Sequence, residues 1–287
     1  MTPAAGDSRD NQVKSDDALE ELTKLIGLEK VKNLVKEIQA YVKVQELRRQ
    51  AGLKTEPLVL HMIFKGNPGT GKTTVARILG NLFKELGVLS KGHLVEVERA
   101  DLVGEYIGHT AQRTREQIKK ALGGILFIDE AYSLARGGEK DFGKEAIDTL
   151  VKAMEDNKNE LILILAGYQH EMDRFIRSNP GLSSRFPIVL EFPDYNLDEL
   201  MQIAQLMVEE REYVFSPSAK ECLYYLLKSL STNYDENSGN ARLVRNIIER
   251  SIRRQAVRLM AGKAKLDTEA LKVLTEADIK AAMEDTG

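Results

Sequence analysis

The chain has 287 residues, 43% of them hydrophobic, enough to bury a sizeable core in one large or two modest domains. Its 41 Lys and Arg nearly balance 44 Asp and Glu for a formal charge of −3, which argues against nucleic acid or an anionic lipid surface as a partner of the whole chain. One cysteine, Cys222, excludes an internal disulfide, and His61, His93, His109 and His170 show no metal-site spacing.

Residues 1–16 are polar and predict a disordered tail. They hold Asp7, Arg9 and Asp10 where a signal peptide has an apolar run, and no apolar stretch nears the roughly 20 residues that span a bilayer, so a cytoplasmic protein without a membrane partner is expected. Residues 17–56 read as helices. Leu19, Leu22 and Ile26 recur at helical steps, and Val31, Leu34, Val35, Ile38 and Val42 continue the series after Gly27, so two helices joined at Gly27 are predicted.

An α/β domain over 57–194 follows. Leu58–Phe64 is apolar except for His61 and predicts a strand buried on both faces. Similar runs at Leu94–Val97, Ile125–Ile128, Leu161–Leu165 and Ile188–Phe192 alternate with segments of helical period such as Val75, Ile78, Leu79, Leu82 and Phe83. That alternation predicts a five-stranded parallel sheet between helices. After Pro193 the strand signals stop. Leu197–Glu212, Ser218–Ser229, Arg242–Met260 and Glu276–Glu284 predict a smaller all-helical domain over 195–287, with breaks at Ser216-Pro217, Asn237-Ser238-Gly239 and Gly262.

Two strings carry chemistry. Gly66-Asn67-Pro68-Gly69-Thr70-Gly71-Lys72-Thr73, followed by Thr74, fits a phosphate-binding loop placed between a buried strand and a helix. Backbone N–H groups of such a loop turn toward phosphate, and the helix aims its positive end at the same charge. Lys72 is then a contact for the β- and γ-phosphates of ATP, and Thr73 a magnesium ligand. Ile125-Leu126-Phe127-Ile128-Asp129-Glu130 ends an apolar strand in two acids at the carboxyl edge of the sheet. Asp129 suits the hydrated Mg2+, and Glu130 suits polarisation of the attacking water.

Together with Leu102-Val103-Gly104-Glu105-Tyr106-Ile107-Gly108-His109-Thr110, Asn179-Pro180-Gly181-Leu182-Ser183-Ser184-Arg185-Phe186 and Asn240-Ala241-Arg242-Leu243-Val244-Arg245-Asn246, these strings resemble the P-loop AAA+ ATPases. More narrowly, the chain is similar to the group of stage V sporulation protein K and the red-type Rubisco activases, and its run of residues looks closer to the former. The resemblance implies a helical lid and a homo-oligomeric ring, usually hexameric, with ATP at subunit interfaces. Arg185 matches an arginine finger given to the neighbouring subunit, with Arg174 and Arg177 as rivals. Arg242 matches a second sensor within the subunit, with Arg245 as fallback. Tyr106, Ile107 and Gly108 match a pore loop, and Arg136–Asp141 is a candidate second one. Ile26-Gly27-Leu28 matches the adenine-contacting segment.

One departure stands out. Where many relatives end the fourth strand in a polar sensor, commonly asparagine, this chain has Ala166-Gly167-Tyr168, which leaves Tyr168 as the candidate sensor. The expected function is an ATP-driven motor remodelling an unidentified protein substrate, linked by resemblance to sporulation or to Rubisco activation. A nucleotide-controlled loader, with Arg250, Arg254 and Arg258 on one helix face as a local basic patch, stays open beside it. A small-molecule kinase using the same loop gives the lid and Arg185 no clear task.

Overall fold

The computed structural model describes residues 17–55, 58–106, 108–137, 142–232, 239–261 and 267–284. The expected tail, Ile107, residues 138–141 and the breaks at 237–238 and 262 lie outside them. Two compact units divide the chain: the residues up to Gly66 with Lys72–Phe192, and Asn67–Gly71 with Pro193 onward.

In the first unit, helices α1 (17–24) and α2 (Glu29–Gln50) precede β1 (Met62–Gly66), with the bend between them at Gly27 and Leu28, both at positive φ. Then follow α3 (Lys72–Glu85), β2 (Leu94–Val97), α4 (Arg99–Leu102), α5 (His109–Ala121), β3 (Gly124–Ile128), a 3-10 turn (Ala131–Ala135), α6 (Gly143–Asp156), β4 (Leu161–Gly167), α7 (Gln169–Ser178), α8 (Pro180–Ser183) and β5 (Ile188–Phe192). The strands pair in parallel in the order β2-β3-β4-β1-β5.

Alternation along each strand sends side chains to two cores. Met62, Phe64, Phe127, Ile164 and Phe192 meet α1, α2 and α3 on one face. Ile63, Leu126, Ile128, Leu163 and Leu165 meet α4 to α8 on the other. Phe64 anchors the first core, its ring 4.9 Å from that of Phe192 and 6.4 Å from that of Phe127, and burying each such ring contributes about 2–3 kcal/mol. The chain leaves β1 for β2 on the first face and leaves β4 for β5 on the second. The connections therefore part at the β1–β4 seam, where the carboxyl ends of a doubly wound sheet open a crevice.

The first strand starts later than the apolar run suggests, at Met62 rather than Leu58. His61 is the reason: its Nδ1 accepts the Leu163 amide of β4 at 3.1 Å, so a side chain stands in for the ladder. The ring is 5% exposed and lies 5.9 Å from that of Phe186. Burial lowers its pKa to about 4, in keeping with a neutral, accepting imidazole.

The second unit holds α9 (Leu197–Glu209), β6 (Val214–Phe215), α10 (Pro217–Thr232), α11 (Asn240–Ala261), α12 (Thr268–Lys272), β7 (Val273–Leu274) and α13 (Glu276–Glu284). Asn196 and Glu199 close a reciprocal capping box at the start of α9. Leu200, Ala204, Leu223, Val244, Ile247 and Ile279 form its core. The unit is helical apart from the two-residue parallel β6–β7 pair, too short to register as a period of two in the sequence. Gln255 fastens this segment to α11, its Nε2 donating to the carbonyls of Leu271 and Val273 at 3.0 and 2.9 Å.

Candidate functional site

In the first unit, the chemistry-bearing residues gather where strands end. Lys72 opens α3 directly after the loop that follows β1, and its Nζ donates to the Gly66 carbonyl at 2.8 Å. Thr73 is beside it on the same helix turn. Asp129 and Glu130 follow β3, and Tyr168 follows β4, the strand between β3 and β1. Asp129 Oδ1 accepts the Glu130 amide at 3.0 Å. Glu130 itself sits at φ 45°, ψ 43°, a left-handed conformation that a non-glycine residue holds at a cost of order 1–3 kcal/mol. It turns the chain sharply out of the buried strand and leaves the Glu130 side chain exposed.

A cavity of about 450 Å³ opens at this edge, lined by Glu98, Arg99, Gly104, Asp129, Glu130 and Ser133. Another, of about 990 Å³, lies away from it among Tyr41, Arg49, Leu58, Lys84 and Leu161, at the start of the strands. The smaller one has the better claim to the chemistry, because both carboxylates line it. Among the described residues no three or more His, Cys, Asp or Glu form a metal cage. The Thr73 hydroxyl and the Asp129 carboxylate fit a magnesium ion that takes its remaining oxygens from phosphate and water.

Arg185 is placed differently. Ile188 of β5 pairs with Met62 and Phe192 with Gly66, so Arg185, three residues ahead of β5, sits at the starting edge of the sheet, about the length of β5 from the Gly66 end of β1. Its Nη1 donates to the Gly181 carbonyl at 2.8 Å and its Nη2 to Glu155 on α6. Of its rivals on α7, both exposed, Arg174 lies 3.9 Å from Glu171. Tyr106 is 66% exposed, with its ring 5.5 Å from that of His109. The base of its loop is fixed, since Thr110 Oγ1 accepts the Gly104 amide at 2.9 Å and Arg113 donates to the Val103 carbonyl at 3.1 Å. At the α1–α2 bend, Ile26 is half-buried and Leu28 belongs to the core.

In the second unit, the loop Asn67–Gly71 meets the start of α11. Gly69 and Gly71 take φ of 75° and 94°, and a side chain on Gly69 would lie 2.5 Å from the Gly239 carbonyl and 2.9 Å from the Arg242 amide. Arg242 is exposed on the first turn of α11. Sequence reasoning missed Asn240. It is buried, accepts the Tyr195 amide at 2.9 Å and donates to Asp194 at 2.8 Å, while Asp194 also accepts from Asn67. Its signal was present in Asn240-Ala241-Arg242, where the arginine took all the attention. Lys65, just ahead of the loop and held by Asp173 at 2.5 Å, was missed too. The basic face of α11 is partly committed within the unit, because Arg258 forms a two-pronged pair with the 1% exposed Asp278 at 2.8 and 2.9 Å. Burial alone would raise the Asp278 pKa, but Arg258 and Thr275 hold it low.

This fold and site define a P-loop ATPase with a helical lid. The family model described as ATPase family associated with various cellular activities (AAA) matches residues 62–194, and the AAA lid domain matches 196–287. Stage V sporulation protein K of Bacillus subtilis (strain 168) is 60% identical over 89% of this chain and 80% of its own length. The chloroplastic ribulose bisphosphate carboxylase/oxygenase activase of Cyanidioschyzon merolae is 44% identical over 93% and 91%. The chain belongs to the AAA ATPase family and is a nucleotide-binding ATPase. A solved AAA domain of FIGL-1 in complex with ADP shares the fold, with a TM-score of 0.62 at 18% identity over 92% of this chain and 83% of that one. Among the described residues no helix is long and apolar enough to cross a membrane.

Proposed function

We propose that the chain is one sector of an ATP-hydrolysing ring that remodels a protein substrate. The observation that carries this reading is the separation of Arg185 from Gly66, where β1 ends and the phosphate-loop string begins, across the length of β5. An arginine so placed cannot serve its own subunit's γ-phosphate but can serve a neighbour's.

In this reading the amides of Gly66–Gly71 cradle the phosphates with Lys72, Thr73 and Thr74, while Ile26 and Gly27 border the base. Thr73 and Asp129 would hold a magnesium ion, which when bound would supply Lewis-acid charge to the phosphates. Glu130 accepts a proton from the attacking water, Tyr168 lies at the sensor position, Arg185 of one copy neutralises charge on the next copy's γ-phosphate, and Arg242 reaches nucleotide from the lid. The exposed Tyr106, beside Ile107 and Gly108, grips an extended polypeptide by apolar contact. Identity of 60% to the sporulation protein against 44% to the activase supports a sporulation role over Rubisco activation.

Mixing tests the shared site. Arg185→Ala should cut hydrolysis about 10³-fold or more, the scale of an arginine finger. Glu130→Gln subunits keep Arg185, so adding them to Arg185→Ala subunits should restore part of the activity. Restoration that fails, with both variants still assembling and binding ATP, rejects the shared site.

A further inference from the structure

In the second unit, the loop residues Asn67–Gly71 are fastened by their carbonyls. The Asn67 carbonyl accepts from Thr70 Oγ1 at 2.8 Å, and the Pro68 carbonyl accepts from Asn240 Nδ2 at 3.4 Å. The Gly69 carbonyl accepts the Ala241 amide at 3.2 Å, and the Thr70 carbonyl accepts the Tyr195 hydroxyl at 3.2 Å. The last three donors come from segments far along the chain. The peptides of this loop are trans, and in a trans peptide the N–H points opposite to the C=O of the same plane. Drawing the carbonyls of Pro68, Gly69 and Thr70 toward these donors therefore turns the amides of Gly69, Thr70 and Gly71 the other way, as an anion-binding nest of backbone N–H groups requires.

Asn240 is the hub of the arrangement. It is 1% exposed and sits at φ 41°, a left-handed backbone that asparagine tolerates better than most side chains. Its Oδ1 accepts the Tyr195 amide at 2.9 Å, and its Nδ2 donates to Asp194 Oδ1 at 2.8 Å. Asp194 also accepts from Asn67 Nδ2, at 3.1 and 3.0 Å on its two oxygens. A carboxylate tied to a loop that holds polyphosphate works against the charge of the ligand. Its use is mechanical: it grips Asn67 in the loop and Asn240 at the start of α11 together.

We infer that Asp194 and Asn240 are positioning residues for nucleotide, a latch that holds the phosphate loop in its anion-binding shape before the ligand arrives, with Tyr195 as a third tether. A loop fixed in advance loses less freedom on binding, so affinity is set from residues 194–195 and 240–241 as well as from the loop itself. The inference rests on Gly66–Thr73 being the phosphate site.

ADP binding to the full chain, followed by titration calorimetry, tests the latch. Asp194→Asn keeps the shape of the side chain and removes one negative charge. Charge alone predicts tighter ADP, whereas the latch predicts a Kd about 10- to 100-fold higher, because an amide group now meets the donors of Asn67. Asn240→Asp sets two carboxylates against each other and should lose as much. Combining Asp194→Asn with Asn240→Asp exchanges the two groups, so donor meets acceptor again and Kd should return to within about fivefold of the parent. A contact that only supports the fold would lower the thermal unfolding temperature and leave the ADP Kd of the folded protein in place. Tyr195→Phe, which keeps the ring and removes only the bond to Thr70, should weaken ADP about 3- to 10-fold.

A Kd for Asp194→Asn equal to or below that of the parent overturns the inference, as does a double variant no tighter than its parts. Should the variants at 194 and 240 fail to fold, a Tyr195→Phe Kd within about twofold of the parent overturns it. Lys72→Ala separates the two claims. If it binds ADP normally, the phosphate-loop reading fails, whereas if it loses ADP and Asp194→Asn does not, only the latch fails.

Discussion

The two edges of the first unit's sheet are built from the same five strands and treat polar groups in opposite ways. At the carboxyl edge the chain turns outward and leaves Glu130 exposed on strained backbone. At the starting edge, His61 is buried, neutral and spent on a backbone amide. Charge that must meet a ligand is kept near solvent at strand ends. Polar groups that only complete the sheet are buried with a partner, because a buried group without one costs about 1–3 kcal/mol. The lesson is that exposure and strain, more than residue type, separate chemistry from architecture here.

The largest expected effect tests the carboxyl edge. Glu130→Gln should lower hydrolysis about 10²- to 10⁴-fold while ATP affinity, read by equilibrium binding, stays near the parent value. Unchanged turnover would erase the distinction between the edges.

The starting edge should answer to pH through stability. The folded value for His61, about 4, lies below its ordinary 6.5, so the native state resists protonation. Its contribution is full above about pH 6.5 and declines as pH falls toward 4, reaching a loss of about 2 kcal/mol at pH 5. Urea unfolding at pH 7.5 and pH 5 should show that loss in the parent and much less in His61→Gln, after correction for the other titrating groups common to both. An equal loss in both proteins would mean that His61 is not the neutral acceptor described.

The smallest effect sharpens the contrast within the functional side. Tyr106 lies beyond α4 on an exposed loop tip, so Tyr106→Ala should leave basal hydrolysis within about twofold and abolish remodelling of a protein substrate. Remodelling that survives would remove the pore role and leave the ATPase untouched.

Much of the site was legible because its chemistry is local. A phosphate loop needs adjacent glycines, a lysine and a threonine between a strand and a helix, and these occupy consecutive positions from Gly66 to Thr73. Asp129 and Glu130 were equally plain, as acids ending an apolar run. The packing of Tyr132 was not, since it reads as one more apolar residue in Ala131-Tyr132-Ser133-Leu134 until its ring is seen against Gly167, 35 residues away in the chain. Asn240 likewise has no visible role until Asp194 and Tyr195 are beside it.

By itself the sequence determined the five strands of a parallel sheet, its helical cover, and the strings that read as a phosphate loop and as two acids ending a strand. Periodicity and loop chemistry are properties of neighbours along the chain, and they survive without knowledge of the fold. Only the tertiary structure decided that β1 lies between β4 and β5, that His61 replaces a ladder bond, that Arg185 lies at the starting edge of the sheet, and that a tyrosine from one strand end reaches the next. Those outcomes depend on long-range pairing, which the hydrophobic pattern of each strand permits in several orders and only the packed sheet resolves into one.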